Sequence, residues 1–384
     1  MKDLPYKSGL LLLIILITGC SGGDGSPDTA VATFKLSISI DGTGTGTVVS
    51  SPAGINCGTD CSESFTENTP VTLTASPASG SSFDGWNGAC SGTESCSVTM
   101  DAAKSVIARF VEYSVDCSSY ATYIPNTAPE IKLSAGATTT VIIMHGKAGS
   151  PLDGYLSPLY TGLTNAGYDV ISPYMPWSEP VWDGSMCEAM NYIDSLSEQE
   201  ASKGRAVIIA GHSMGGAHAL IYAATAPAAE VKGIIALAPG HFPHLELPLL
   251  TVFYPDIAAS ITSSITSAED MVASGFGDMD GTFDTLFPDL SNPLLQISIT
   301  ANDYLSYHAL YQYPDINDVL PTIKPPVLWL AGADDELTTF YSMPALFNQI
   351  TSQYSSYELV TGDHLGMVSS SATPVYDWLF SLGL

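Results

Sequence analysis

Gly211-His212-Ser213-Met214-Gly215 follows the apolar run Ala206 to Ala210 directly and opens a helix-forming stretch through Ala217 to Ala224. A nucleophile on a sharp strand-to-helix turn holds strained dihedrals, and side chains two residues to either side would clash unless they are glycine. Such a turn lifts the Ser213 hydroxyl clear of the backbone and aims a helix N-terminus at it. A serine hydroxyl is a weak nucleophile, so acyl transfer needs a base beside it and a group that orients the base. The histidines available are His145, His212, His218, His241, His244, His308 and His364. A carboxylate cluster, Asp334-Asp335-Glu336, follows the apolar run Pro326 to Leu330 at what reads as the C-terminal end of a strand.

A further short element completes the set. The apolar run Thr140 to Met144 ends in His145-Gly146-Lys147. Together these motifs resemble the α/β-hydrolase superfamily. That resemblance implies an oxyanion hole made by the backbone N–H groups of Met214 and Lys147, with Gly146 letting the backbone come close. His145 then reads as a structural histidine that fixes the loop. Lys147 reads equally as a solvated side chain whose backbone alone matters. The superfamily's Gly-x-x-Asp spacing selects Asp335 as the acid, with Asp334 as the alternative. Only His364 lies beyond the acid, in Gly362-Asp363-His364-Leu365-Gly366, which reproduces the Ser…Asp…His order of the fold. The implied activity is hydrolysis of small-molecule or lipid-like carboxylic esters through an acyl-enzyme, with no metal and no organic cofactor. The alternatives are a peptidase or amidase on the same scaffold, and a surface adhesion protein whose hydrolase domain is inert.

The elements that must hold these residues are legible as short, continuous apolar runs: TVIIM (140–144), AVIIA (206–210), GIIAL (233–237) and PVLWL (326–330). Strands buried on both faces look like this, as in a parallel sheet. Between them Met186, Met190, Ile193 and Leu196 fall at helical spacing, and Gly204 offers a stop. The expectation is a doubly wound, mostly parallel α/β domain over residues 113–384. An insertion at 240–324 carries Ile257, Ile261 and Ile265 at i, i+4, i+8. This stripe is expected to pack a helix on the sheet, the alternative being a mobile cap over an acyl pocket lined by Pro243, Pro248 and Tyr254. Asp278-Met279-Asp280-Gly281 has its glycine misplaced for a calcium loop and lacks the closing Glu, so no cation is assigned to it.

Residues 34–112 belong to a different regime, rich in Gly, Ser and Thr. Leu36, Ile38 and Ile40 alternate with polar residues, as do Val71, Leu73 and Ala75, and Val106, Ala108 and Phe110. Alternation of this kind predicts a small antiparallel all-β domain. The segments Pro52 to Gly58, Phe83-Asp84-Gly85-Trp86 and Asp101 to Val106 resemble a unit of the bacterial surface repeats related to internalin B. That resemblance implies a spacer or adhesive module without catalysis. Trp86 is expected in its core rather than as a sugar platform.

At the N-terminus Lys2 and Lys7 precede an apolar run from Gly9 to Gly19. The run is too short to span a bilayer but fits a signal-peptide core. Its end, Ile17-Thr18-Gly19-Cys20, resembles the lipobox of bacterial lipoproteins, which implies a leader at 1–19 and a lipid on Cys20. Residues 20–33 read as a flexible tether. By the same resemblance Ser21 points to the outer membrane. The expected location is therefore extracytoplasmic, with membrane attachment through Cys20. Removing Cys20 from the 7 cysteines leaves six, an even number suited to an oxidising compartment. CxxxC and CxxxxxC are not zinc spacings. Cys57 with Cys61 and Cys90 with Cys96 are expected to close locally, which leaves Cys117 to pair with Cys187 or both as buried thiols. At 384 residues the chain suits two or three folding units, and 45% hydrophobic residues supply real cores. With 11 basic against 39 acidic residues the net charge of −28 repels nucleic acid.

Overall fold

The computed structural model describes residues 32–78, 81–92, 95–112, 117–179, 182–224, 231–286, 294–310, 312–339 and 342–384. The leader, Cys20 and all of the tether but Ala32 and Thr33 lie outside the described residues.

The N-terminal part folds as eight strands: β1 (Thr33–Asp41), β2 (Gly46–Ser51), β3 (Asn56–Cys57), β4 (Ser62–Thr66), β5 (Pro70–Pro77), β6 (Ser81–Gly88), β7 (Cys96–Thr99) and β8 (Lys104–Glu112). They form two four-stranded sheets, ordered β4-β1-β8-β6 and β3-β2-β5-β7. The period-2 pattern puts Leu36, Ile38, Val71, Leu73, Val106, Ala108 and Phe110 into one core, while Ile40 at the end of β1 is exposed. Trp86 joins that core, its ring 4.8 Å from Phe83. One pairing departs from the antiparallel expectation: β1 and β8 run parallel. The first and last strands lie side by side, and the strands between them form the long connection that a parallel pair requires. Cys57–Cys61 and Cys90–Cys96 are disulfides that close short loops of this unit.

The second unit is built on a seven-stranded sheet. Its members are β9 (Glu130–Lys132), β10 (Thr139–Met144), β11 (Asp169–Ser172), β12 (Ala206–His212), β13 (Val231–Leu237), β16 (Val327–Gly332) and β17 (Ser356–Val360), with β14 (Asp280–Leu286) and β15 (Leu294–Thr300) apart from it. The order is β17-β16-β13-β12-β10-β11-β9, parallel throughout except for β9 against β11. The apolar runs are continuous because both faces are covered. Along β10, Ile142 and Met144 enter one core while Val141 and Ile143 enter the other. Helices α2 (Met186–Ala201) and α3 (Met214–Ala224) cover the first face. Helix α1 (Ser157–Asn165) and the C-terminal helix Ala372–Ser381 cover the second. Ser185 caps α2 in a capping box with Glu188, and Gly204 turns away beyond its end at φ +78°. Cys117 and Cys187 form the third disulfide, tying the segment before β9 to the first turn of α2.

The insertion holds α4 (Pro243–Phe253), α5 (Pro255–Ala273), the antiparallel β14–β15 hairpin and α6 (Ala301–His308). Of its isoleucine stripe only Ile265 also touches the large core on the sheet's first face, so the stripe as a whole does not pack on the sheet as expected. Ile261, with Ile257 and Ile265 partly buried beside it, meets Leu247, Leu250, Leu286 and Leu294 of α4 and the hairpin. The insertion thus carries a small core of its own. Among the described residues no helix is long and apolar enough to cross a membrane.

Candidate active site

Ser213 sits between the end of β12 and the start of α3 with φ +54°. A left-handed conformation at a non-glycine residue costs about 1–3 kcal/mol and persists only where its surroundings over-determine it. They do so here. The Ser213 N–H donates to the Leu237 carbonyl (2.9 Å), and its own carbonyl accepts from Ala217 (3.0 Å) and Gly240 (3.1 Å). A Cβ on Gly211 would lie 2.0 Å from the Gly215 carbonyl oxygen, and one on Gly215 would lie 2.6 Å from those of Met144 and His145. Both glycines are therefore required by the turn.

His364 reaches the same place from the loop after β17. Its Nδ1 lies 3.0 and 3.2 Å from the two carboxylate oxygens of Asp335, in the loop after β16. Asp335 is only 2% exposed, and the Leu337 N–H also donates to its Oδ1. A carboxylate beside Nδ1 keeps the proton on that nitrogen and leaves Nε2 as the basic one. Nε2 is buried and has no hydrogen-bond partner among the described residues. Asp334 is exposed and does not meet His364; its N–H donates to the Gly362 carbonyl and joins the two loops.

The loop after β10 supplies the third wall. His145 is fully buried, and burial lowers its pKa to about 4. The neutral ring donates from Nδ1 to the Gly146 carbonyl (2.8 Å) and accepts at Nε2 from Ser178 (2.7 Å). Trp177 Nε1 donates to the His145 carbonyl. His145 is a brace, and its imidazole does not line the cavity. Gly146 passes so close to the serine that a Cβ on it would lie 3.2 Å from Ser213 Cβ. Met214 opens α3, so its N–H is one of the first-turn amides without a helical acceptor. The solvated reading of Lys147 does not hold: the residue is 9% exposed and its Nζ lies under the insertion.

Ser213, His364, Gly146 and Lys147 line one cavity of about 450 Å³. Pro243, Pro248 and Tyr254 do not line it; Pro243 and Pro248 lie within α4 and Tyr254 is exposed at the α4–α5 junction. Their place is taken by Asp153 and Tyr155, which the sequence reading did not name, and by Glu336 and Leu365, which it quoted within motifs but gave no role. Glu336 and Leu365 are chain neighbours of Asp335 and His364, and Asp153 and Tyr155 follow the His145-Gly146-Lys147 element, so nearness in sequence was the available signal. Burial raises the Tyr155 pKa to about 12, so its hydroxyl stays protonated, and it accepts from the Gly146 N–H (3.4 Å). Asp278, from the rejected calcium motif, accepts from Asn302. No group of three or more His, Cys, Asp or Glu that could hold a metal occurs among the described residues.

Residues 141–378 match the Alpha/beta hydrolase family. The chain belongs to that family. Residues 36–114 of this α/β-hydrolase match the Divergent InlB B-repeat domain. Among solved structures it is similar to a monoacylglycerol lipase of Paleococcus ferrophilus, at 19% identity over 67% of this chain and 100% of that one, TM-score 0.46. It is also similar to Est1E from Butyrivibrio proteoclasticus (15% identity, 66% and 92% coverage, TM-score 0.46). MenH from S. aureus is a further such structure (17%, 67% and 100%, TM-score 0.43). No curated protein matches this hydrolase.

Proposed function

We propose that this hydrolase cleaves carboxylic esters through a Ser213 acyl-enzyme. Ser213 Oγ attacks the ester carbonyl carbon while His364 Nε2 takes its proton, and the Met214 and Lys147 amides receive the oxygen that becomes negative. Collapse of the tetrahedral species expels the alcohol, which leaves with the proton from His364. Water then attacks the acyl group with His364 again as base, releasing the acid and restoring Ser213. Asp335 holds the imidazole in the tautomer that leaves Nε2 basic and favours the cation formed at each step. The observation that carries this reading is that a strained Ser213 and His364, whose Nε2 has no hydrogen-bond partner among the described residues, line one cavity, with Asp335 on the opposite nitrogen.

We also propose that the enzyme is a lipoprotein anchored in the outer membrane through Cys20. In this arrangement the repeat module at 34–112 spaces the hydrolase domain, 113–384, from the tether. Support for the anchor is the lipobox-like Ile17-Thr18-Gly19-Cys20.

A series of p-nitrophenyl esters of increasing chain length, run beside aminoacyl anilides, tests the activity. Turnover of esters well above anilides is expected, with fluorophosphonate labelling at Ser213. Anilide turnover exceeding ester turnover would move the assignment to an amidase, and the absence of both turnover and label would leave an inert hydrolase domain.

A further inference from the structure

The Lys147 ammonium has three donors, and three acceptors of the insertion take them: His241 Nδ1 at 3.0 Å, Thr285 Oγ1 at 3.0 Å and the Leu286 carbonyl at 2.7 Å. The acceptors are themselves fixed. His241 donates from Nε2 to the Tyr307 carbonyl (2.9 Å), which leaves Nδ1 bare for the ammonium. Thr285 donates its hydroxyl proton to His308 Nε2 (2.7 Å), and His308 donates from Nδ1 to the Tyr304 carbonyl (3.0 Å). Glu246 supplies the opposing charge while its Oε1 accepts the N–H groups of His241 and Phe242 (2.9 Å each). Lys147, His241, Glu246, Thr285 and His308 are all buried. Every proton in this network has one consistent place.

Two strained backbone positions flank the contact. Ala148, next to Lys147, has φ +53°, and His241 has φ +74°. Left-handed non-glycine residues relax unless something holds them. A buried ammonium is also a costly filler, since a methionine of similar length would pack there without desolvating a charge. Burial pulls the Lys147 pKa down to about 8, with Glu246 opposing the shift. The backbone N–H of this same residue is the one assigned to the oxyanion.

We infer that Lys147 is a positioning residue: its ammonium, gripped by the insertion, holds the 146–148 loop so that its own N–H faces the carbonyl oxygen of the substrate at Ser213. The inference rests on the acyl-transfer reading above. It gives the insertion a part in the chemistry, because acceptors from His241 ahead of α4 and from β14, braced by Tyr307 and His308 of α6, then set the geometry of an oxyanion donor.

The test compares wild type with K147M, which keeps the chain length and the backbone N–H, and with T285V, which removes one acceptor outside the loop. Loss of a single oxyanion donor costs roughly 10²–10³-fold in kcat, so a misplaced one in K147M should cost about 10–100-fold with KM little changed. Inhibition by an aryl trifluoromethyl ketone, which forms a tetrahedral adduct, should weaken by the same factor as kcat/KM. T285V should move both quantities in the same direction by a smaller factor, and the double variant should be no slower than K147M alone. A K147M enzyme with near-wild-type kcat and ketone inhibition, whatever its melting temperature, would overturn the inference and leave the acyl-transfer reading intact. If K147M does not fold, T285V and His241→Asn carry the test, and unchanged kcat and inhibition in both would overturn the inference. A wild type that neither turns over esters nor takes a fluorophosphonate at Ser213 overturns the acyl-transfer reading itself.

Discussion

The Nε2–H of His212 donates to the backbone carbonyl of His364 at 2.8 Å, and the two rings stand 4.8 Å apart. The residue just before Ser213 therefore holds the loop that carries His364. Burial, with His364 adding to it, lowers the His212 pKa to about 3, so this donor stays neutral beside His364. His212→Phe keeps a ring but removes the donor and leaves a buried carbonyl unpaired, at a cost of about 1–3 kcal/mol in stability. Turnover should fall about 10-fold at a temperature where the variant is folded, on the scale set by small misplacements of catalytic groups. Unchanged kcat with an unchanged melting temperature would mean that the contact does not position His364.

Ser213→Ala should lower ester turnover by about 10⁴-fold or more and leave the fold intact, because alanine fits wherever the serine side chain does. Asp335→Asn should cost about 10⁴-fold by favouring the wrong His364 tautomer, whereas the exposed Asp334→Asn should change kcat less than about 3-fold. Steady-state kinetics on a p-nitrophenyl ester checks both. The reverse ranking of the two aspartates would remove Asp335 from its role.

The legible parts of this molecule are those with strong local signals. β10, β12, β13 and β16 are buried on both faces and so appear as unbroken apolar runs. The turn at Ser213 is legible because its crowding demands glycine at 211 and 215. β11 was not legible: four residues beginning with Asp169, whose buried carboxylate is matched by Arg205 from a distant loop, carry no periodic signal. β17, an edge strand with mostly unburied residues, is equally quiet. The Lys147 network escaped for a different reason. Its partners stand 94, 138 and 139 residues away in sequence, and no local pattern announces a contact of that range.

Acid should unfold the hydrolase domain early. Burial lowers the pKa of His145 and His218 to about 4 and that of His212 and His308 to about 3, and it holds His241 well below its usual value. In the unfolded chain each titrates near 6.5. With folded values depressed, the unfolded state binds more protons below pH 6.5, so stability is full above that pH and declines as pH falls toward 4. Each ring should remove about 1.4 kcal/mol per pH unit across this window. Urea midpoints measured from pH 7.5 to 4.5 check the slope, and a flat profile between pH 6.5 and 5 would mean that these rings are not held neutral.

Cys20→Ser should abolish lipid attachment and shift the protein from the membrane fraction to the soluble one, since a single thiol is the proposed attachment point. Intact-mass measurement of the mature wild type should begin at a lipidated Cys20. An unmodified N-terminus at another residue would refute the anchor.

Removal of the Cys117–Cys187 bridge tests how the hydrolase domain is closed. The bond spans 70 residues of sequence and joins the first turn of α2 to a segment whose Cys117 carbonyl accepts from Asn191, one turn further along the same helix. Closing a loop of that length removes chain entropy from the unfolded state equivalent to about 4 kcal/mol. For a domain of this size such a loss corresponds to roughly 8–15 °C in melting temperature. The Cys117→Ala, Cys187→Ala double variant should therefore melt lower by that amount and keep its kcat at 25 °C, because neither residue lines the cavity at Ser213. Mild reduction of the wild type should reproduce the shift only in so far as it opens this bond, which peptide mapping can follow. A double variant melting within about 2 °C of the wild type would show that the contacts between α2 and the entering chain hold without the bridge.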